Sequence, residues 1–173
     1  AAAAELSPFV DAGTLVAAAW SPTDGFARPS VVVNTYAAAA AQLGAEICTA
    51  SPVVGIEQAG ADRLAVRTQD GRVYTTPTVI CTCGAWSKQI GAMVDVDLPI
   101  EPLRRQIAFT TPLYPRPPRV PFTIDYSTTA YFHCNDDGSG LLIGIADKTQ
   151  TVGFDTSVTT DWHDQLRAAL LGL

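Results

Sequence analysis

Two adjacent arginines, Arg104 and Arg105, lie in an extended stretch in which Pro99, Pro102 and Pro112 exclude helix. A guanidinium group can bind a carboxylate through two parallel hydrogen bonds, so an arginine on a strand is a candidate anion-binding residue. Neighbouring side chains on a strand point to opposite faces, so at most one of the pair can face a pocket. The other is expected at the surface, where charged side chains mostly lie.

Tyr131 and His133 are two residues apart in a predicted strand, so their side chains share one face. His133 is a candidate general base. The same pair also fits a solvated face or packing at the edge of a sheet, and the residues alone leave these alternatives open. A second histidine, His163, follows Trp162 on the last predicted helix and is expected at the surface.

The run of apolar and small residues at 78–83 is typical of a strand buried on both faces, and it leads into Gly84-Ala85-Trp86-Ser87. A glycine at the end of such a strand exposes bare backbone to a flat ligand, because no Cβ stands in the way. A helix that follows, here to about Met93, offers N–H groups to a phosphate or carbonyl oxygen. Trp86 would add a planar apolar face. An ordinary tight turn with a core tryptophan is the alternative.

The chain has four cysteines, Cys48, Cys81, Cys83 and Cys134, which are too few for a disulfide scaffold. No signal peptide is recognisable, so reduced thiols in a cytoplasmic protein are expected. A C-x-C pair can ligate a metal, but a second pair and a suitably spaced histidine are missing, so no metal site is expected. Cys81 and Cys83 are therefore predicted to pack as small buried side chains. A thiol or metal protein built on this pair is the alternative.

The elements that must position these residues are mostly strands. A helix at 29–43 starts at Pro29 and stops before Gly44, and Asp70-Gly71 predicts a hairpin. A last helix at 160–171 has Thr159 or Thr160 as its predicted N-cap, with Asp161 and Asp164 near its positive end. Strands are predicted at 13–20, 47–49, 52–57, 64–68, 72–75, 78–83, 100–111, 122–126, 130–134 and 141–145. The order predicts an α+β fold dominated by antiparallel sheet.

Composition narrows the classes of function. Apolar residues make up 47% of the 173 and charged residues 16%, which argues for a folded core and against disorder. The net charge of −6 argues against nucleic-acid binding, because an acidic surface repels phosphates. No run of 18 apolar residues is present, so no membrane partner is expected.

Several short stretches occur in one order along the chain. They are Asp24-Gly25 with Arg28-Pro29, V-V-G-I at 53–56, V-I-C-T-C-G-A-W-S at 79–87, P-I-E-P-L-R-R-Q at 99–106, Tyr131-Phe132-His133, and G-L-L-I-G at 140–144. Together they resemble the FAD-dependent oxidoreductases of the D-amino-acid oxidase and sarcosine oxidase superfamily. The resemblance covers nearly the whole chain, and the G-A-W-S element after a predicted strand is its most specific part. The sequence departs from the family's A-A-G in having T-C-G.

The resemblance implies contacts with FAD at Val53, Thr82, Gly84 and Trp86. Val53 would otherwise be taken as a core residue of a strand. The family's substrate domain has a sheet that covers the flavin ring, and the stretch from residue 100 onward resembles it. In the family, a hydride leaves a carbon next to nitrogen for the flavin, so a small amine or amino-acid substrate is implied.

On the substrate side, the resemblance implies Tyr131, Arg105, Gln106 and His133 as substrate-binding residues. No catalytic side chain is assigned, because an amine that binds deprotonated needs no base. Ala146 stands where monomeric sarcosine oxidases carry a histidine, which argues against a sarcosine-type pocket.

The dinucleotide fingerprint G-x-G-x-x-G between a strand and a helix is missing. The chain is therefore interpreted as an interior fragment, with a substrate-domain strand and connecting helix at 1–45, part of the FAD-binding domain at 46–95, and the substrate-binding domain at 96–173. The FAD-binding part is expected to be Rossmann-like without its first βαβ unit. We expect the isolated chain neither to hold FAD tightly nor to oxidise an amine.

Two functions are compatible with this pattern. The chain could be the central part of an oxidoreductase that acts on a secondary amine or amino acid. Alternatively, it could be a non-catalytic binding or assembly module in a multi-subunit flavoenzyme, with other flavoenzyme segments or subunits as its partners. The substrate, the electron acceptor, the oligomeric state and any covalent link to flavin are not specified by the sequence.

Overall fold

The computed structural model describes residues 2–172. It divides into a central unit, Ala27–Pro102, and a split unit formed by residues up to Phe26 together with those from Leu103 onward. In chain order the elements are α1 (Ala2–Leu6), α2 (Pro29–Gln42), β1 (Val53–Gln58), β2 (Leu64–Thr68), β3 (Val73–Thr76), a 3-10 turn (Gly84–Trp86), α3 (Ser87–Ala92), β4 (Ile107–Phe109), β5 (Thr123–Ile124), β6 (Tyr131–Cys134), β7 (Leu141–Gly144) and α4 (His163–Leu171).

The central unit contains an antiparallel sheet in the order β1-β2-β3. The hairpin predicted at Asp70-Gly71 joins β2 to β3, and Gly71 adopts a φ of +86° that a side chain would disfavour. The backbone N–H of Thr68 donates to the carbonyl of Arg72 at 3.0 Å and closes this turn. The hairpin prediction is therefore confirmed.

Helix α2 begins and ends as the sequence predicts. Pro29 occupies its first turn, where a missing N–H costs no hydrogen bond. Gly44 has a φ of +96°, and the N–H of Ala45 reaches back to the carbonyl of Ala40 at 3.0 Å. This left-handed glycine terminates the helix in the way that its position predicts. None of the residues of α2 is buried.

The split unit is built on a four-stranded antiparallel sheet in the order β4-β7-β6-β5. One face of this sheet carries the hydrophobic core, to which Phe132, Cys134 and Leu141 contribute. Helix α4 and the residue before it contribute Trp162, Leu166 and Ala169, spaced at i, i+4 and i+7, and all are buried. Outside the sheet and α4, Val10 and Val120 complete this core.

The overall match to an α+β arrangement of antiparallel sheets with few helices holds, but three predicted strands are missing and those at 100–111 and 122–126 are shorter than predicted. No strand forms at 13–20 or 47–49. The long strand at 100–111 is reduced to β4, preceded by an isolated bridge between Leu103 and Val152. The alanine-rich start forms α1, which the sequence pattern did not predict.

The third missing strand is the run at 78–83, which pairs with no strand among residues 2–172. Instead of being buried on both faces it is exposed, with Ile80 at 81%. A buried strand needs neighbours on both edges, and the run finds none in the described part of the chain. Cys81 and Cys83 are accordingly exposed, so the prediction that they pack as buried side chains is wrong.

Helix α4 starts three residues later than predicted, with Trp162 as its N-cap. Thr159 is held elsewhere, because its N–H donates to the Gln106 side-chain carbonyl at 2.8 Å. Its hydroxyl also accepts from the Gln106 amide at 3.2 Å. The contact between Thr159 and Gln106 therefore takes the place of the predicted N-cap. Asp164 lies in the first turn of α4, as expected.

Candidate functional site

The four-stranded sheet of the split unit has one covered face and one open face. The odd-numbered residues of β4 and β6 point away from the core, and the register pairs Tyr131 with Gly144 and His133 with Leu142. We define the open face by its side chains, which are Ile107, Phe109, Phe122, Ile124, Tyr131, His133 and Leu142. Phe109 is 62% exposed and Ile107 48%, so large apolar groups here face outward without cover from the described residues.

Aromatic rings form a row along this open face. Phe122 stacks on Tyr131 with centroids 5.6 Å apart and lies 5.4 Å from the ring of His133. Phe26 packs on the other side of His133 at 5.3 Å. The prediction that Tyr131 and His133 share a face is thus confirmed, and the row fixes both side chains in place. Phe26 and Phe122 were not singled out from the sequence, because nothing in their local pattern marks them.

His133 has a defined hydrogen bond that fixes its tautomer. Its Nδ1 lies 2.7 Å from the carbonyl oxygen of Cys134. A carbonyl can only accept, so Nδ1 carries the proton and Nε2 of the neutral ring is left as the acceptor. The side chain is half-buried on the open face.

Tyr131 is the other half-buried polar side chain of the open face. Burial raises the pKa of its phenol above the ordinary value. The group therefore stays protonated at neutral pH and can donate a hydrogen bond to a ligand.

Arg104 and Arg105 differ in exposure, although they precede β4 and lie outside the strands. Arg104 is the inner of the two, with a side chain only 11% exposed and an ion pair to Asp155 at 2.8 Å. It also donates to the side chain of Gln150 at 2.7 Å and to the carbonyl of Ser157 at 2.7 Å. The donors of Arg104 are therefore used within the protein, and its role is to fix the segment at 155–158.

Arg105 is exposed and keeps donors for a ligand. Its Nη1 donates to the carbonyl of Asp147 at 3.1 Å, and this contact orients the guanidinium plane. Gln106 points to the opposite side and is occupied by Thr159 on both amide atoms. Of the two candidates on this stretch, only Arg105 is presented outward.

An open groove of about 390 Å³ lies beside Arg105, lined by residues 104–107 and 155–158. Ile107 belongs both to this groove and to the open face, so the two features are continuous. A ligand with an apolar part and a carboxylate can lie on the open face with its carboxylate at Arg105.

The residue whose carbonyl accepts from Arg105 also carries a buried carboxylate. Asp147 is only 6% exposed and accepts from the N–H of Thr149 at 2.9 Å and from its hydroxyl at 2.7 Å. The side chain of Gln150 donates to it as well. These bonds, led by the Thr149 hydroxyl, lower the pKa of Asp147 to about 2. The sequence did not point to Asp147, because its contact with Arg105 joins residues 42 positions apart and leaves no local pattern.

The predicted cofactor-binding residues lie in the central unit. Thr82, Gly84 and Trp86 are neighbours in the exposed segment that ends in the 3-10 turn, whereas Val53 is half-buried on β1. Gly84 has a φ of +53°, and a Cβ placed there would meet nothing within 4 Å. Trp86 is 57% exposed. The bare backbone and the accessible indole fit one side of a flat cofactor such as FAD.

The structure also bears on a metal site and on a membrane-spanning helix. Among residues 2–172, no group of three or more histidine, cysteine, aspartate or glutamate side chains could hold a metal ion. Within that same range, no helix has the length and apolar character to cross a membrane.

Comparison with known proteins gives one consistent family. The family model described as DAO, FAD dependent oxidoreductase, matches residues 1–173. Sarcosine dehydrogenase, mitochondrial, from Homo sapiens is 33% identical over 100 residues, which cover 55% of this chain and 11% of the relative. Hydrogen cyanide synthase subunit HcnC from Pseudomonas aeruginosa is 30% identical over 132 residues, covering 76% of this chain and 30% of the relative.

Monomeric sarcosine oxidase from Bacillus sp. is 26% identical over 144 residues, which cover 80% of this chain and 37% of the relative. Among solved structures, L-proline dehydrogenase from P. horikoshii matches with a TM-score of 0.84 and 27% identity. That match covers 96% of this chain and 44% of the other. The chain thus spans less than half the length of each of these proteins.

Proposed function

The chain belongs to the DAO family of FAD-dependent oxidoreductases, and from this membership we propose that it is the central part of an enzyme that oxidises a secondary amine or amino acid. In this proposal the split unit binds the substrate, and the central unit contributes part of a Rossmann-like FAD-binding domain without its first βαβ unit. The names of three relatives, sarcosine dehydrogenase, monomeric sarcosine oxidase and L-proline dehydrogenase, support a secondary amine that carries a carboxylate.

The observation that carries the proposal is the continuity of the open face with the groove at Arg105. The open face supplies apolar and aromatic surface for the carbon skeleton of a substrate. The groove supplies one outward guanidinium, while the neighbouring Arg104 is occupied by Asp155. A substrate held at both features has its carboxylate at one end and its reacting carbon over the sheet.

FAD, when bound, supplies the acceptor for a hydride from the carbon next to the substrate nitrogen. The chain's own residues bind and orient the substrate. Arg105 pairs with the carboxylate, and the protonated phenol of Tyr131 donates a hydrogen bond from the open face. An amine that binds neutral needs no base, and His133 can take up a proton at Nε2 from one that arrives charged.

Val53, Thr82, Gly84 and Trp86 are proposed to contact FAD from the central unit. The absence of any side chain over Gly84 supports this role, since a flat ring system can approach the backbone there. The exposed indole of Trp86 offers a second apolar contact.

A second candidate function is a non-catalytic binding or assembly module. It is favoured by the relative named as a subunit of hydrogen cyanide synthase and by helix α2, whose valines and alanines are unburied. A module of this kind would bind a partner chain and would leave amine oxidation unchanged when Arg105 is replaced.

Steady-state turnover of the whole enzyme that contains this chain tests the proposal. The assay compares N-methylglycine, N,N-dimethylglycine and L-proline with matched primary amines, using an artificial electron acceptor. We expect turnover with the secondary or tertiary amines that carry a carboxylate. If the flavin-containing enzyme turns over none of these substrates, either with oxygen or with the artificial electron acceptor, the proposed function is wrong.

A further inference from the structure

Gly144 and Tyr131 are cross-strand neighbours on β7 and β6, and the tyrosine ring lies directly over the glycine. A Cβ built on Gly144 would lie 2.4 Å from both Cζ and Oη of Tyr131 and 2.8 Å from Cε1. These atoms are the hydroxyl end of the ring. Gly144 is buried in consequence, although it lies on the open face.

Space, not backbone conformation, is the reason for glycine at this position. Gly144 is not among the glycines with positive φ, so an alanine could adopt its backbone without strain. The strand glycine Gly55 on β1 is a useful contrast, since a Cβ there would meet only Cδ of Arg67 at 3.9 Å. Only Gly144 has an aromatic ring where its Cβ would be.

The register shows which way the phenol points. Gly144 pairs with Tyr131 on one side and with Ile107 of β4 on the other. With its hydroxyl end over Gly144, the Tyr131 side chain extends from β6 onto β7, toward the strand that carries Ile107. Ile107 lines the groove that also contains Arg105.

We propose that Gly144 is a positioning residue that lets the Tyr131 hydroxyl reach across β7 toward the Arg105 groove. The inference rests on the proposed function, and it deepens it. The residue at 144 thereby sets the distance between the Tyr131 hydroxyl and the Arg105 guanidinium. This distance selects short substrates, whose amine and carboxylate can be bound by the two groups at the same time.

A methyl group at 144 must displace the ring, because carbon atoms in contact lie about 3.5–4.0 Å apart. The ring is stacked on Phe122 at 5.6 Å, which limits movement in that direction. The phenol is therefore expected to turn away from the sheet and to become more exposed.

The first test is titration of the Tyr131 phenol by NMR of the chain labelled with [13Cζ]tyrosine, with Tyr131→Phe to assign the resonance. Burial holds the pKa of Tyr131 above its usual value, so we expect Gly144→Ala to lower it toward about 10. The matched variant Gly55→Ala should leave it unchanged. A folded Gly144→Ala chain with the same Tyr131 titration as the unsubstituted chain would overturn the proposal.

A second comparison decides the case in which Gly144→Ala does not fold. The alanine at 144 is introduced into a Tyr131→Ala background, where the ring that it would strike is gone. If Gly144→Ala does not fold with Tyr131 present, we expect the double variant to fold. If it does fold, we expect the alanine to lower the urea midpoint less in the Tyr131→Ala background than with Tyr131 present. An equal fall in both backgrounds, or a double variant that does not fold although Tyr131→Ala does, would mean that Gly144 serves some other purpose.

The holoenzyme supplies the functional readout. Gly144→Ala is expected to raise KM for a short N-alkyl amino acid about threefold to tenfold, the effect of losing one hydrogen bond. The same substitution in a Tyr131→Phe background should add little, because the hydroxyl is already missing. If Gly144→Ala raised KM by the same factor in the Tyr131→Phe background as in the wild type, positioning through Tyr131 would be contradicted. If the wild-type holoenzyme oxidises no amine, the proposed function fails, while the titration still decides the role of Gly144.

Discussion

At the scale of single residues, adjacent side chains of one type have different roles because of what each contacts. Arg104 forms an ion pair with Asp155 and donates to Ser157 and Gln150, so its charge is neutralised inside the fold. Arg105 contacts two backbone carbonyls, those of Arg104 and Asp147, through Nη1 alone and remains exposed. A guanidinium with free donors beside an apolar face is the arrangement that recognises a carboxylate.

Replacing Arg105 by methionine in the whole enzyme should raise KM for a carboxylated amine about tenfold to a hundredfold. The reason is the loss of charged hydrogen bonds, each about 1.5–3 kcal/mol. Methionine keeps the apolar length of the side chain and removes the charge. Arg119→Met is the matched control at an exposed arginine outside the groove. Equal KM values for the wild type and Arg105→Met, by steady-state kinetics, would remove Arg105 from the site.

Asp147 gives a prediction about pH. Hydrogen bonds from Thr149 and Gln150 lower its pKa to about 2, so it stabilises the fold above its unfolded pKa of about 4. That stabilisation is lost as the pH falls from about 4 to about 2. Asp147→Asn should therefore reduce the free energy of unfolding at pH 7 by about 1–3 kcal/mol, and the difference from wild type should shrink below pH 4.

Urea denaturation at several pH values measures this difference, with the exposed Asp62→Asn as control. A difference between wild type and Asp147→Asn that stays constant down to pH 2 would show that the carboxylate charge is not the source of the stability.

The face of the sheet on which a side chain lies could be predicted from the sequence, whereas the residues that it contacts could not. Strand alternation correctly places Tyr131 and His133 on one face. Arg104 and Arg105 differ in exposure, but they lie outside the strands, so alternation does not explain that difference. The contacts of Arg104 lie 46 to 53 residues further along the chain and leave no local pattern. Whether the predicted residues bind substrate or FAD stays a prediction.

At the scale of elements, helix α4 with the preceding Trp162 covers the closed face of the four-stranded sheet and so determines which face stays open. Trp162 and Leu166 are 2% and 4% exposed and pack in the cluster that contains Phe132. The Trp162 indole also donates to the carbonyl of Thr159 at 2.9 Å.

Trp162→Ala should lower the free energy of unfolding by about 3–5 kcal/mol, because it leaves a cavity in this core and an unpaired carbonyl. Arg167→Ala, at an exposed position of α4, should change it by no more than about 0.5 kcal/mol. Chemical denaturation followed by circular dichroism compares the two. Similar losses for both variants would mean that α4 does not pack on the sheet as described.

The elements predicted best are those whose signals are local. Pro29 and Gly44 bound α2, and Asp70-Gly71 closes the β2–β3 hairpin, because proline and glycine restrict the backbone wherever they occur. The run at 78–83 has the composition of a buried strand, yet a strand also requires partners that composition does not specify. The N-cap predicted at Thr159 or Thr160 was wrong for the same reason, since Gln106, which is 53 residues away, binds Thr159.

At the scale of the whole molecule, the chain carries two units with different proposed partners. The central unit has an exposed segment at 78–83, which pairs with no strand in the described part of the chain, and an unburied helix α2. The split unit has the open face with its exposed Phe109. Each set groups several exposed apolar side chains, which is the kind of surface expected at a binding site.

The isolated chain is expected to lose FAD on desalting, because the dinucleotide fingerprint is absent from these residues. The visible absorption spectrum after mixing with excess FAD and gel filtration measures this. Flavin retained in equal amount with the protein would show that residues 1–173 already form a complete cofactor site.

The most direct test of the account is the anaerobic reaction of the flavin in the whole enzyme that contains this chain. The visible flavin absorbance is recorded before and after adding a secondary amine with a carboxylate, without oxygen or any other acceptor. We predict that the absorbance is lost with the amine, and more slowly in Arg105→Met at the same concentration. Absorbance that persists with every secondary amine and amino acid, in enzyme whose flavin dithionite bleaches at once, would contradict the proposed function.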